Sequence, residues 1–127
     1  MKIVQTSPHD VASENRIVVL DSYWVQDLSS LYLSLSALLA FPAYFTPNLD
    51  SFDECMSDLS WLDVKAIHIH FSNTSHFLEK ESVAMLQNVL SVVASAEQEV
   101  FDISGIELHI TFEYSQKISL MFLEKQL

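Results

Sequence analysis

The spacing of apolar residues changes several times along this chain, and each change predicts an element. Arg16 to Leu20 is a short β-branched run that reads as a buried strand, and Lys2 to Gln5 can add a short strand before it. From Asp27, a good helix N-cap, Leu28, Leu31, Leu35, Leu38 and Leu39 recur at helical spacing as far as about Ala40. Pro42 and Pro47 then forbid a continuous helix, so Phe41 to Pro47 is a loop. Asn48 can cap a new helix from Leu49 to about Ser57. Val64 to Phe71 alternates as a strand, with His68 and His70 on one side and Ile67, Ile69 and Phe71 on the other. A long helix covers about Lys80 to Ala96, with Val83, Leu86, Leu90 and Val93 facing inward and Val89 beside them. Glu97 to Gly105 reads as a connection, Ile106 to Tyr114 as a strand, and Ile118 to Leu123 as a last strand turned back at Ser115-Gln116.

Strand, helix, helix, strand, helix, strand is the order of a small α/β layer of mainly parallel strands with crossover helices. The last strand is expected to be an antiparallel addition. The polar composition of residues 1 to 15 suggests a mostly irregular arm, leaving 16 to 127 as a single domain. No internal repeat or low-complexity linker interrupts it.

A chain of 127 residues, half of them hydrophobic and with a positive mean hydropathy, can bury one substantial core. Its longest apolar stretch, Leu31 to Phe45, contains Ser34, Ser36 and Pro42 and is too short to span a bilayer. The single Cys55 excludes an intramolecular disulfide. That suits a reducing compartment, and no charged n-region with an apolar run opens the sequence given, so a cytoplasmic protein is expected. The net charge of −11, from 17 acidic and 6 basic residues, argues against nucleic acid as a partner, whose phosphates it repels. It favours a basic partner, because complementary fields speed encounter and suppress wrong pairings.

Much of the distinctive chemistry lies between Ala40 and Cys55. On a helix turning about 100° per residue, Asp50, Asp53, Glu54 and Asp58 share one arc. Leu49, Phe52, Cys55, Met56 and Leu59 fall on the other. The helix is therefore amphipathic, with an outward face that is wholly negative. Tyr44 and Phe45 precede it, and an aromatic beside a charged cluster is a common hot-spot arrangement. Each can instead plug the loop onto the core.

This stretch resembles the signature of the barstar family, intracellular protein inhibitors of ribonucleases, which reads Leu-Pro-x-Tyr-Tyr-Gly-x-Asn-Leu-Asp-Ala-Leu-Trp-Asp-Cys. Pro42, Tyr44, Asn48, Leu49, Asp50 and Cys55 are identical to it. Thr46 stands for the loop glycine, Asp53 for the tryptophan and Glu54 for the aspartate that enters the ribonuclease active site. A further acidic contact from the long helix would fall at about Ser91, which is uncharged. The resemblance implies a barstar-like fold and a partner-binding site of Tyr44, Phe45, Asn48, Asp50, Asp53 and Glu54. The carboxylates would occupy a cationic cleft as phosphate mimics, and Asn48 would hold their helix rigid.

Other chemistry is thinner. His68, His70 and His109 can hold zinc if two strands bring them together, but partly buried strand residues account for them as well. One glycine leaves no phosphate-cradling loop. Cys55 on the inner face of the acidic helix is expected to be buried and inert. No metal or cofactor is expected, and no catalysis. The expected function is inhibition of a basic ribonuclease or nuclease toxin, as an immunity protein does. The alternative is a barstar-like module docking on a basic partner that is not a ribonuclease.

Overall fold

Two neighbouring strands form the centre of the sheet, β3 (Ala66–Ser72) and β4 (Glu107–Glu113), with β1 (Lys2–Val4) outside β4 and β2 (Asn15–Asp21) outside β3. All three pairings are parallel. The computed structural model describes residues 1–5 and 15–126, so residues 6–14 of the expected N-terminal arm lie outside the described residues. Four helices complete the α/β layer: α1 (Leu28–Leu38), α2 (Leu49–Asp58), α3 (Val83–Ser104) and α4 (Gln116–Gln126).

Register explains which sheet face is buried. Val18, Ile69 and Ile110 share one row, and Leu20, Phe71 and Phe112 another. All six are buried, as are Ile67 and Leu108. The helices supply the other half of this core through Leu31 and Leu35 of α1, Phe52 and Met56 of α2, and Val89, Leu90 and Val93 of α3. Phe112 stacks on Phe71 with ring centroids 4.9 Å apart, and Phe77 and Phe122 meet Phe112 edge-on. Such pairs add to area burial.

Helix starts follow the capping chemistry of the sequence. Asp27 accepts from the Ser30 amide at 2.9 Å while Ser30 Oγ accepts from the Asp27 amide, a reciprocal box. Ser82 caps α3 by accepting from the Met85 amide.

Three expectations are corrected. First, Glu97 to Ser104 is not a connection but the last part of α3. Ala96 and Val100 continue its buried stripe, while Glu97-Gln98-Glu99 is only its polar side. The helix stops at Gly105, whose φ of +70° suits glycine. Second, Val83 stands in the exposed first turn and does not face inward. Third, the segment expected as an antiparallel strand is α4. Ser115, read as a turn residue, accepts from the Ile118 amide through its Oγ. Ile118, Met121 and Phe122 then recur at i, i+3 and i+4 and pack on the core, a helical period. Lys117 Nζ donates to the Phe77 carbonyl and Gln87 Nε2 to that of Met121, tying α4 down.

Candidate protein-binding site

The loop before α2 is held by its own aromatic rings. Phe41 meets Phe45 at 5.0 Å and Trp61 at 6.0 Å, and Tyr32 meets Phe45 at 6.2 Å. Trp61 Nε1 donates to the Leu39 carbonyl at 2.8 Å. Phe45 is thus half-buried against the core, whereas Tyr44 is 53% exposed. Beyond Pro47, Asn48 Oδ1 accepts from the Ser51 amide at 2.8 Å and Asn48 Nδ2 donates to Thr46 Oγ1. Ser51 Oγ in turn accepts from the Thr46 amide. These bonds fix the entry to α2, so the direction of its acidic face is set by backbone and not by flexible side chains.

Phe52, Cys55 and Met56 turn α2 inward and are essentially inaccessible. Asp50, Asp53, Glu54 and Asp58 therefore share the outer side, as the arc predicts. With Ser57 they line an open depression of about 440 Å³. Its second wall is α3, through Glu99 and Ile103. A second depression, of about 470 Å³, is lined by Tyr44, Thr46, Asn48, Leu49 and Ser51. Asp50 and Glu54 line both, forming the ridge between an acidic hollow and an aromatic one. The outer face of α2 is therefore concave on either side of that ridge.

Glu99 and Ile103 are the site residues that sequence reasoning missed. An acidic side chain, Glu99, stands two turns beyond Ser91, on the part of α3 read as a connection. An uninterrupted stripe of Val89, Val93, Ala96 and Val100 was the available signal. Among the described residues that line this depression there are five carboxylates and no Lys or Arg. Neutral groups meet Asp53 and Asp58: Ser57 Oγ donates to Asp53 Oδ1, and the Ser60 amide and Ser104 Oγ approach Asp58 Oδ1.

The Tyr44 hydroxyl lies beside the Cys55 thiol. Desolvation, then the nearby Cys55, Asp58 and Glu54, push the Tyr44 phenol up. Desolvation and the Glu54 charge push the Cys55 thiol up, against the opposing influence of the Tyr44 hydroxyl.

The three histidines do meet on one sheet face. His68 lies opposite His109 in the β3–β4 register, with ring centroids 6.4 Å apart, and His70 lies opposite Thr111. His68 Nε2 and His70 Nδ1 are both bound to Thr111 Oγ1, at 2.9 and 2.7 Å. Among the described residues, no group of three His, Cys, Asp or Glu side chains is arranged to hold a metal ion. No helix among them is long and apolar enough to cross a membrane.

A parallel sheet backed by helices, with an acidic capped helix beside an aromatic loop, defines a protein-binding domain of the barstar type. A model of the family described as Barstar (barnase inhibitor) matches residues 15–113, and the chain belongs to that family. The match runs from the first residue of β2 to the last of β4. No curated protein matches the chain significantly. At the level of the family, the role is ribonuclease inhibition and not catalysis.

Proposed function

We propose that this protein inhibits a basic ribonuclease by inserting the Asp50–Glu54 ridge into its active-site cleft. The observation that carries the reading is that five carboxylates, four from α2 and Glu99 from α3, line one hollow whose described lining includes no Lys or Arg. Like charges so placed repel one another, and a partner presenting Arg, Lys and His relieves that repulsion while it pairs with them. A ribonuclease cleft, built to hold phosphates, has that charge. Tyr44 and the loop to Asn48 would cover its rim, and Phe45, half-buried, would touch it only along its exposed edge. Asp53 would contact the partner from the ridge flank. The inhibitor does no chemistry; it occludes. Acting as an immunity protein in the cytoplasm would protect the cell's own RNA.

The replacement of the family's tryptophan and aspartate by Asp53 and Glu54 favours a second reading, a basic partner that is not a ribonuclease. Titrating the protein into RNA cleavage by barnase-type ribonucleases, with calorimetry alongside, separates the two. Stoichiometric inhibition that is lost in Glu54→Ala supports the first. Tight binding of a basic protein that leaves RNA cleavage intact supports the second, and absence of binding to any basic protein refutes both.

A further inference from the structure

The sheet face opposite the helices holds a polar array that the acidic ridge does not use. Rows across it read Ile17, His68, His109 and then Val19, His70, Thr111, Lys2. His70 is fully inaccessible and Thr111 nearly so. Thr111 Oγ1 joins both rings of β3, yet His70 Nε2 has no hydrogen-bond partner among the described residues.

A hydroxyl has one proton to donate. The assignment that buries no unpaired donor has His70 Nδ1–H donating to Thr111 and Thr111 donating to His68 Nε2. His70 Nε2 is then a bare acceptor, the less costly orphan. Adding a proton to His70 creates a buried N–H and a buried charge at Nε2 with no acceptor among the described residues. Adding one to His68 makes both rings donate to Thr111, whose own proton loses its acceptor.

Among the described residues the surrounding charges are few. Glu113 of β4 favours the charged form of His70, and Lys2 of β1 stands beside Thr111 in the register. From β2, Ile17 and Val19 bring no charge, while Arg16 borders the small pocket beside His68 and His109. Glu107 lies 3.8 Å from His109 Nε2. Desolvation is the largest influence on both His68 and His70 and pushes each down.

We propose that His68, Thr111 and His70 form an acid-labile lock on the β3–β4 seam, closed while both rings are neutral and opened by protonation of His70. The sign follows from linkage. The unfolded chain, with histidines near pH 6.5, takes up protons that the folded chain refuses. The lock's contribution is complete above that value and is lost as pH falls below it. Carboxylate repulsion relaxes only nearer about pH 5, so the window above isolates the histidines.

Thermal melts of the whole chain between about pH 7.5 and about pH 5.5 should show a melting temperature falling by several degrees, and His70→Leu should flatten that slope. In wild type, NMR titration should find the His70 ring still neutral where a free histidine is already charged. A flat wild-type profile, an equal slope in His70→Leu, or native His70 titrating at the free value would each overturn the proposal. If His70→Leu does not fold, the two wild-type measurements decide.

Discussion

The Tyr44 hydroxyl lies beside the thiol of Cys55, a residue that is otherwise sealed inside α2. One side chain thereby links the exposed rim of the candidate site to the core beneath it. Cys55 faces Phe52, Met56 and Leu59, all fully or almost fully buried, and its thiolate is disfavoured there by desolvation and by Glu54. The native protein should therefore react very slowly with a small disulfide reagent at neutral pH. Tyr44→Ala, which uncovers the sulfur, should react faster while keeping its fold. Rapid, complete labelling of the wild type would contradict the buried placement.

Asn48 has a structural duty that can be measured apart from binding. It supplies the acceptor for the Ser51 amide and ties Thr46 to the same turn. Asn48→Ala should lower stability by about 1 kcal/mol, within a range of roughly 0.5–2. For a domain of this size that is a fall of about 3–6 °C in melting temperature. Asn48→Asp, which retains an acceptor, should recover most of it. An unchanged melt in Asn48→Ala would mean that the cap does not hold the helix.

The apolar pattern was enough to read β2, β3, β4, α1 and α2, because each buries one face against one core, whereas β1 was only a possible short strand. Asp27 and Asn48 marked their helix starts correctly, since a cap is a local interaction between residues three apart. Two misreadings share a cause. Glu97-Gln98-Glu99 looked like an exit from a helix, and Ser115 looked like a turn, because polar residues serve both purposes. What decides between them is whether a partner surface receives Ala96 and Val100, or Ile118 and Phe122, and that is tertiary information. The acidic arc of α2 was legible for the same reason as its cap. Glu99 was not, since its place in the depression beside α2 depends on α3 continuing past Ala96 and packing on α2.

Phe112 is the hub of the aromatic cluster, stacked on Phe71 and touched by Phe77 and Phe122. Phe112→Ala should cost about 3–5 kcal/mol in transfer and cavity terms. Because Phe122 belongs to α4, loss of that helix should accompany the destabilisation. Circular dichroism through a denaturant titration would check both. A cost under about 1 kcal/mol would show that the ring cluster is loosely packed.

The acidic ridge should carry the binding energy in a definite order. Glu54 lines both depressions, lies between Asp50 and Asp58 on the arc, and stands where the family pattern has its inserted aspartate. Removing one member of a desolvated charge pair costs about 2–5 kcal/mol, because the partner's charge stays buried and unpaired. Pairs left exposed at a rim contribute about 0–1 kcal/mol. Glu54→Ala should therefore weaken partner binding most, with Asp50→Ala and Tyr44→Ala next. Asp58→Ala should matter least, since its carboxylate is already engaged by the Ser60 amide and approached by Ser104. Glu99→Ala reports on the second wall: if the partner fills the hollow between α2 and α3, its effect exceeds that of Asp58→Ala. Melts of the Asp50 and Glu54 variants should match or slightly exceed wild type, as mutual repulsion is relieved without loss of packing. The measurement is calorimetric titration of each variant with the partner at two salt concentrations, where the carboxylate variants should show a shallower salt dependence. Wild-type affinity in both Glu54→Ala and Asp50→Ala would place the interface elsewhere on the molecule, whatever the family's general mode of inhibition.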